Sequence, residues 1–391
     1  MKNSCEYQID KDYIISIRHK IHEYPEIGFD LPRTTALVKS ELEKMGIPYT
    51  EKYGESSVVG YINPEAKDFT IGLRADMDAL LIQEENDIPF KSKIDGHMHA
   101  CGHDAHTAML LGAAKALKEI EDKLTCRVML LFQPSEEGIK SGAGVMVENG
   151  VMDEIDIILG AHVEGTMDAG KMGVCIGESM ASSRNLKMEF FGNTAHATIP
   201  NSGHDALAAA VNTYTNIQMV LARKVNPLAD YVYSIGRLEG GTTQNVVADY
   251  AYMLGTIRTF DMNVDKLIID TVEKVAEHTA MNFGCKAQVT SAVKSLVVYN
   301  DPHLSECVMK TMGKVIGKDN VVSMSKKLSS EDFSRYLTKK PGVFFRLGTR
   351  NKAKGIGTLA HNNDFMIDEE VLDKGSATFV QFVLDYMGGV N

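Results

Sequence analysis

Up to residue 183 the hydrophobic pattern alternates between helical and strand spacing. Apolar residues recur at helical spacing over 10–29, where Pro25 marks a stop, and over 31–47, where Gly46 does. Four short apolar runs also occur, with a helix of small residues at 106–120 between the second and third: 57–62, 69–76, 127–133 and 156–162. These runs do not alternate with polar residues, which is typical of strands buried on both faces of a parallel sheet. The pattern predicts an α/β fold, with a mainly parallel sheet and helices on both faces.

From Arg184 the pattern changes. Apolar and polar residues alternate over 185–192, as in a half-exposed strand, and the elements up to Ser295 follow the order β-α-β-β-α-β. This order is that of a ferredoxin-like α+β unit. After residue 300 helices return, together with an apolar strand at 342–348. We therefore predict one α/β domain, formed by 1–183 and 296–391, which an inserted ferredoxin-like domain at 184–295 interrupts.

Length and charge limit the classes of protein. The 391 residues suit two domains of roughly 150 residues or more. A formal net charge of -11 argues against nucleic acid or an anionic membrane as partner, because binding phosphates requires a basic face. The first residues lack the apolar core of a secretory signal, and no apolar run reaches the roughly 18 residues that span a bilayer. We therefore expect a cytoplasmic protein.

The cysteines are scattered and form no CxxC pair, so neither a disulfide framework nor a zinc knuckle is expected. They are Cys5, Cys101, Cys126, Cys175, Cys285 and Cys307.

Groups with metal-ligand chemistry follow the predicted strands. In open α/β sheets, functional groups gather just past the carboxyl ends of the strands. Here these positions, with the loop before the helix at 106–120, hold Cys101, His103, Glu136, Glu137, His162 and His361, and also Asp76 and Asp78. A thiolate, three imidazoles and a carboxylate suit zinc and related ions better than calcium or magnesium. The set is large enough for two divalent ions, with positions left for water and substrate.

Taken singly, each of these groups has a simpler role. A lone cysteine is more often a buried thiol, and adjacent glutamates often form a solvated turn. Asp76 and Asp78 would cap the next helix or orient a ligand imidazole. Three histidines of the motif would hold the loop by hydrogen bonds or support the ligands. They are His97, His99 and His106. Other histidines are expected to be solvated, namely His19, His22, His278 and His303. The joint placement of the groups favours a metal site.

The adjacent glutamates permit a division of labour. One of them binds metal, while its neighbour takes a proton from the attacking water and passes it to a leaving group. Since a metal lowers the pKa of water from about 15.7 to about 7, this is chemistry suited to amide hydrolysis near neutral pH. The inserted domain adds His196, Asn245 and Arg258 as candidates. A lone arginine ending a strand is more often a surface ion-pair partner, but arginine with asparagine also suits a substrate carboxylate.

The motifs resemble the M20 metallopeptidases. Within that family they are similar to the amidohydrolase branch, which includes N-acyl-amino-acid, hippurate and auxin-conjugate hydrolases and N-acetyl-diaminopimelate deacetylases. The resemblance runs in order through "RHKIHEYPEIGF", "RADMDAL", "HMHACGHDAHTAMLLGAA", "FQPSEEG", "GGTTQNVVAD", "GTIRTFD" and "SSEDFS". It covers nearly the whole chain, and the cysteine-containing motif is specific to this branch.

The resemblance implies a role for each candidate residue. Two divalent ions per subunit, either zinc or manganese, cobalt or nickel, would be held by Cys101, His103, Glu137, His162 and His361. Glu136 would be the general base. The resemblance also implies a homodimer, in which His196 completes the site of the other subunit and stabilises the oxyanion. Asn245 and Arg258 would bind the oxygen atoms and terminal carboxylate of the substrate.

The sequence departs from the pattern of the branch in three places. The segment "GAHVEGTM" lacks the aromatic residue and the proline that commonly follow its histidine. Asn201 stands where a second histidine is usual, and "LAHNNDFMID" keeps His361 in altered surroundings. These changes leave the metal ligands intact and affect the region expected to form the acyl pocket.

We predict a metal-dependent hydrolase that cleaves the amide bond of an N-acylated amino acid or a related small amide. A dipeptidase or carboxypeptidase on the same scaffold is the first alternative, because it also needs a carboxylate-binding group. A non-catalytic metal-binding or ligand-binding protein is the second. Glu136 beside Glu137 weakens this second alternative, since binding alone requires no additional base.

Overall fold

The computed structural model describes residues 7–387, which divide into two units. The first contains 7–179, 299–325 and 332–387, and the second contains 180–298 and 326–331. Cys5 lies outside the described residues, and the other five cysteines are free thiols. Within 7–387, none of the helices is long and apolar enough to cross a bilayer.

The strands and helices follow one another along the whole described chain. The strands are β1 (Tyr49–Thr50), β2 (Val58–Ile62), β3 (Thr70–Asp76), β4 (Arg127–Gln133), β5 (Ile157–Asp168), β6 (Met172–Val174), β7 (Gly177–Met180), β8 (Ser182–Phe191), β9 (Tyr231–Gly240), β10 (Tyr250–Thr259), β11 (Lys286–Ser295), β12 (Val298–Asn300), β13 (Val321–Ser323) and β14 (Gly342–Arg350). The α-helices are α1 (Lys11–His22), α2 (Pro32–Lys44), α3 (His103–Glu119), α4 (Gly142–Glu148), α5 (Ala206–Lys224), α6 (Met262–Asn282), α7 (Pro302–Ile316), α8 (Ser334–Leu337) and α9 (Leu372–Tyr386).

An eight-stranded sheet forms the centre of the first unit, in the order β1-β2-β4-β3-β5-β14-β6-β13. The central pairs β4/β3, β3/β5 and β5/β14 are parallel, whereas β2/β4 and β14/β6 are antiparallel. Every residue of β3 and β4 is buried. Because successive residues of a strand face opposite sides, the sheet is covered on both faces. The prediction of an α/β unit with a mainly parallel sheet is confirmed.

Several helices of both units begin at an aspartate whose side chain accepts a hydrogen bond from the first turn. Asp10 accepts from the Tyr13 N–H at 3.0 Å, and Asp301 accepts from the Leu304 N–H at 2.9 Å. Asp205 caps α5 in the same way through Ala208 N–H, at 2.9 Å. These caps satisfy backbone donors that the helix itself leaves unpaired.

Helix α3 begins three residues earlier than its apolar pattern predicts. Gly102 precedes it with a φ of 89°, in the left-handed region, and His103 is the first helical residue. The sequence had placed His103 in the loop before the helix. That prediction was wrong, because the left-handed turn at Gly102 allows the helix to start at once.

The second unit has the predicted ferredoxin-like order, β8-α5-β9-β10-α6-β11. Its sheet is antiparallel throughout, in the order β11-β8-β10-β9. Helices α5 and α6 pack on this sheet, around a core that includes Phe190, Met253 and Ile268. Strand β9 lies at one edge of the sheet, with most of its residues partly or fully exposed.

Candidate metal centre

The predicted metal ligands converge within the first unit. Their positions are set by different elements: the turn before α3 for Cys101, the first turn of α3 for His103, the loop after β4 for Glu137, strand β5 for His162 and the loop after β14 for His361. Strand β5 continues to Asp168, so His162 lies within the strand and not at its end, as the sequence had predicted. The extension forms because β14 continues to pair with β5, as far as Arg350 opposite Asp168.

The ligand atoms form two groups that share one residue. The atoms of Cys101, His103 and His162 lie within 4.8 Å of one another, and so do those of Cys101, Glu137 and His361. Cys101 Sγ is 3.4 Å from His162 Nε2. His361 Nε2 is 2.9 Å from Glu137 Oε1. The sulfur of Cys101 therefore faces both groups.

Hydrogen bonds direct two of the imidazoles towards a cation. Nδ1 of His103 donates to the Asp78 carbonyl oxygen at 2.7 Å, and Nδ1 of His162 donates to the Val163 carbonyl oxygen at 2.6 Å. In its neutral form each ring therefore presents Nε2 as an acceptor. Burial lowers the pKa of His103, but Asp76 outweighs burial and raises this pKa, so a metal ion bound there would replace a proton. Nε2 of His103 is buried and makes no hydrogen bond within the described residues. An orphaned buried acceptor among a thiol, imidazoles and a carboxylate fits a divalent metal ion.

Burial shifts the pKa of His162 towards its metal-binding form and the pKa of Cys101 away from it. It lowers the pKa of His162 well below its usual range, with His106 and Arg346 acting in the same direction. The imidazole is therefore neutral and able to donate a lone pair. Burial also raises the pKa of the Cys101 thiol, with Glu137 adding to the effect. A thiolate at this position therefore depends on a nearby cation, which a bound metal would supply.

Asp78 fixes the loop that carries the two glutamates. Its carboxylate accepts hydrogen bonds from the backbone N–H of Glu136 at 2.9 Å and of Glu137 at 3.0 Å. Its backbone carbonyl also holds His103. Asp78 therefore supports a ligand on α3 and the loop after β4 at the same time, which agrees with the orienting role that the sequence suggested.

Asp76 and His106 form a second support. His106 Nδ1 donates to Asp76 Oδ1 at 2.6 Å, and His106 Nε2 accepts the Val163 N–H at 2.9 Å. The protein thus occupies both nitrogens of His106, which favours a supporting role over metal binding. Burial opposes ionisation of Asp76, but Arg74 and His103 outweigh it and hold the pKa of this carboxyl well below its usual range.

Glu136 lies beside the ligands with its side chain buried. Its carboxylate oxygens lie within 4.8 Å of ligand atoms of His103 and Glu137. Its Oε1 accepts a hydrogen bond from the Asp332 N–H at 3.4 Å. The glutamate is close enough to the ligands to receive a proton from water at the centre, as a general base must be.

Two histidines outside this set, His22 and His19, differ from the expectation of a solvated ring. His22 is only 2% exposed, not solvated. Its Nδ1 contacts Asp104 Oδ2 at 2.8 Å, and its Nε2 contacts Glu84 Oε1 at 3.1 Å. The spacing Ile14, Arg18, His22 places it on the buried face of α1, which is the signal that sequence reasoning overlooked. His19 is half-buried, and its ring stacks on that of Phe90 with 3.7 Å between the ring centroids. His278 and His303 are exposed.

Sequence reasoning also missed a buried polar network beside the loop that carries Glu136 and Glu137. It contains Arg74, Gln133 and Asp332, each at most 1% exposed. An arginine inside an otherwise apolar strand, in "GLRADMD", is the signal that could have identified it, since a buried guanidinium requires carboxylate partners.

The remaining predicted site residues belong to the second unit. His196 is exposed, and its Nδ1 accepts from the Thr198 hydroxyl at 2.7 Å, which leaves Nε2 available. The loop of Asn245 lies against the His196 loop, because the Ala197 N–H donates to the Asn245 carbonyl oxygen at 3.0 Å. Arg258, on β10, is half-buried.

Arg258 donates through Nη1 to Ser330 Oγ at 2.9 Å, and burial lowers the pKa of its guanidinium. The structure thus brings His196 and Asn245 together where β8 ends and β10 begins, near Phe191 and Tyr250. Arg258 lies near the other end of β10, opposite Ser183 of β8.

Comparison with known proteins identifies the class. Residues 72–385 match Peptidase family M20/M25/M40. The chain is 37% identical over 370 residues to thermostable carboxypeptidase 1 of Saccharolobus solfataricus, covering 94% of this chain and 93% of that protein. It is also 37% identical over 380 residues to the IAA-amino acid hydrolase ILR1-like 4 of Arabidopsis thaliana, covering 96% of this chain and 86% of that protein.

A solved structure agrees with the sequence comparisons. The fold superimposes on a dinuclear metal-binding peptidase of the M20 family, the YXEP protein of Bacillus subtilis, with a TM-score of 0.84 and 31% identity, over 97% of this chain and 99% of that one. The chain therefore belongs to Peptidase family M20/M25/M40. The prediction of a metal-dependent hydrolase of amide bonds is confirmed.

Proposed function

We propose that this enzyme hydrolyses the amide bond of N-acylated amino acids. The observation that carries the proposal is the position of Glu136, a buried carboxylate beside two ligand groups that share Cys101. A protein that only stores or senses a metal has no need of this additional base. The similarity to an enzyme named for hydrolysing an amino acid conjugate supports the substrate class.

We propose two divalent ions per subunit, which would be held by the two ligand groups that share Cys101. Zinc suits the thiolate and imidazoles, and manganese, cobalt or nickel are the alternatives. When bound, the ions would activate a water molecule and polarise the scissile carbonyl. A thiol ligand also requires a reducing compartment, which supports a cytoplasmic location.

The residues of the chain would carry the proton and hold the substrate. Glu136 takes a proton from the attacking water and delivers it to the leaving amine nitrogen. His196 stabilises the oxyanion through its available Nε2. Arg258 binds the substrate carboxylate, for which a guanidinium provides paired donors, and Asn245, beside His196, binds another substrate oxygen.

We further propose that the enzyme is a homodimer that pairs through the second unit. Strand β9 has an outer edge that is available for pairing with another strand. Helix α5 exposes three apolar side chains, with 47% of Val211, 40% of Tyr214 and 57% of Met219 accessible. A second copy of the chain would cover these groups in a twofold arrangement.

A carboxypeptidase activity is the second candidate. It is supported by the similarity to a thermostable carboxypeptidase over nearly the full length of both chains. Arg258 would then bind the terminal carboxylate of a peptide. A panel that compares N-acetyl and N-benzoyl amino acids with dipeptides and longer peptides separates the two activities by kcat/KM.

The decisive experiment replaces Glu136 in metal-loaded enzyme. Chelation should abolish hydrolysis, and zinc, manganese or cobalt should restore it. Glu136→Gln should lower kcat by about 10² to 10⁴-fold, the usual contribution of a general base, while metal content stays at the wild-type level. The matched control is Glu148→Gln, an exposed residue of α4, which should leave kcat unchanged.

Near-full turnover by Glu136→Gln would refute the role of this residue. Metal-loaded wild-type protein that is inactive on the whole panel would instead support a non-catalytic metal-binding protein.

A further inference from the structure

Asp332 is a buried carboxylate that the reaction above does not use. It is 1% exposed and belongs to the first unit, at the end of the segment "SSED". Its Oδ2 accepts from Ser141 Oγ at 2.6 Å and from the Ala143 N–H at 3.1 Å. Gln133 Nε2 donates to both carboxylate oxygens, at 2.9 and 3.0 Å. Burial raises the pKa of Asp332, whereas Arg74 and these donors favour its ionised form.

These contacts close the loop that carries the two glutamates. Gln133 immediately precedes this loop, and Ser141 and Ala143 follow it. The loop ends approach so closely that a Cβ on Gly142 would lie 1.7 Å from the Pro134 carbonyl oxygen. One carboxylate therefore holds both ends of the loop.

Asp78 holds the middle of the same loop through the N–H groups of Glu136 and Glu137. The backbone N–H of Asp332 also faces the Glu136 side chain, at 3.4 Å from Oε1. The loop is therefore fixed by two carboxylates, of which only Asp78 also contacts a predicted metal ligand on α3.

Arg74 connects Asp332 to a second buried carboxylate, Asp76. Its Nη2 lies 3.1 Å from Asp332 Oδ1, and its Nη1 lies 2.7 Å from Asp76 Oδ2. Asp76 in turn holds His106. Burying three charged groups costs desolvation energy and is poor evidence of a stabilising role, so a network of this kind suggests a positional one.

We propose that Asp332 is a positioning residue that holds the Glu136 loop in the geometry needed for proton transfer. The inference rests on the proposed function, because it assigns Asp332 to the general base of that reaction. A displacement of about 1 Å at a reacting group costs on the order of 10²-fold in rate. The carboxylate at the loop ends therefore affects the chemical step more than substrate binding.

The test compares Asp332→Asn with a matched variant of the second unit. Asp265 is also 1% exposed and paired with an arginine, since its Oδ2 lies 2.6 Å from Arg184 Nη2. Asp265→Asn therefore removes a buried ion pair of the same kind away from the loop. Three quantities are measured for each variant: hydrogen exchange of the metal-free protein, metal content after loading, and kcat and KM on the best substrate of the wild type.

Asp332→Asn should accelerate amide exchange over 134–143 while exchange in the rest of the chain stays at the wild-type rate. After loading, metal content should equal that of the wild type. The kcat should fall by about 10 to 100-fold, with KM within about twofold of the wild-type value. Asp265→Asn should change neither the exchange over 134–143 nor kcat.

Unchanged exchange over 134–143, or a kcat within twofold of wild type, would overturn the proposal. A uniform rise in exchange along the chain would also overturn it, since that indicates a purely structural role. If Asp332→Asn does not fold, Ser141→Ala takes its place in the test, because it removes one of the hydrogen bonds to Asp332. It should also accelerate amide exchange over 134–143, with a smaller loss of kcat. An inactive wild type would refute the proposed function, whereas the exchange result tests the loop contact independently of activity.

Discussion

The ring nitrogens of two neighbouring histidines on α3 have different surroundings. His103 keeps a buried Nε2 without a hydrogen bond, whereas both nitrogens of His106 are bound by the protein. His103→Ala should therefore lower the metal content of the loaded protein. His106→Ala should retain the metal but lower the free energy of unfolding by about 1 to 3 kcal/mol. The Val163 N–H and the Asp76 carboxylate would stay buried but lose their hydrogen-bond partner. Metal analysis and urea unfolding measure the two effects.

Loss of metal in His106→Ala equal to that in His103→Ala would contradict this assignment and make His106 a ligand. His303→Ala, at an exposed position of α7, is the control and should change neither metal content nor stability.

His22 provides a dependence of stability on pH. Burial disfavours its charged form, but Asp104 and Glu84 outweigh burial and raise its pKa. Its contribution to stability is therefore complete below about pH 6.5, the pKa of an unfolded histidine, and is lost as the pH rises through the higher folded value. The difference in unfolding free energy between wild type and His22→Gln should be largest near pH 6 and shrink towards pH 9.

Urea unfolding at several pH values measures this difference. His278→Gln, at an exposed position, is the control and should change stability little. A constant difference for His22→Gln would show that the ring is neutral in the folded protein.

Chemically distinctive residues could be predicted from sequence, and their partners could not. Cys101 and Glu136 were found because a thiol in a histidine-rich motif and paired carboxylates after a strand are recognisable locally. Asp332 contacts Arg74 and Gln133, which are distant in the chain, so no local pattern indicates that it is buried. The burial of His22 follows from its spacing in α1, but its partners Asp104 and Glu84 lie on other elements and could not be predicted.

At the level of elements, the junction between Cys101 and α3 depends on one glycine. Gly102 has a φ of 89°, and a Cβ there would lie 2.4 Å from Val163 Cγ2. Gly96 has a similar φ of 73° with open space around it, which makes Gly96→Ala a matched control. Gly96→Ala should cost about 1 to 2 kcal/mol for the left-handed backbone alone.

Gly102→Ala should cost about 1 to 3 kcal/mol more than Gly96→Ala, because the clash forces the turn away from β5. It should also lower metal content, since Cys101 and His103 flank the glycine. Urea unfolding and metal analysis compare the two variants. Equal stability and equal metal content would show that the turn adapts without moving the ligands.

The type and order of the elements were predictable, whereas their exact ends were not. The buried runs of β3 and β4 and the alternation in β8 have clear periods. The ends of β5 and α3 depend on tertiary contacts, namely pairing with β14 and the turn at Gly102. These two differences move His162 into a strand and His103 into a helix, and both residues are predicted ligands.

For the whole molecule, the change of pattern at Arg184 correctly indicated an inserted ferredoxin-like fold. The contacts also group 326–331 with that second unit, although this segment follows α7 in the chain. The hydrophobic pattern of so short a segment does not indicate which unit it joins. Arg258 illustrates the consequence, because its partner Ser330 comes from this distant segment.

The proposed homodimer leads to a prediction for mixed subunits. Glu136 lies in the first unit and His196 in the second, and we propose that a complete site takes these residues from different subunits. Glu136→Gln and His196→Ala should each be nearly inactive alone. When the two variants are unfolded together and refolded as a mixture, half of the dimers are mixed, and each mixed dimer has one site with both native residues. Activity should therefore recover to about a quarter of the wild-type value for a twofold assembly.

The control refolds each variant separately and then mixes the two without subunit exchange, which should leave activity at the level of the single variants. If His196 acted within its own subunit, no mixed dimer would contain an intact site and refolding would restore nothing. Size-exclusion chromatography with light scattering establishes whether dimers are present in each sample. Recovery in the dimer fraction would therefore place the oxyanion-stabilising histidine across the subunit interface, since a site built within one subunit always carries one of the two substitutions.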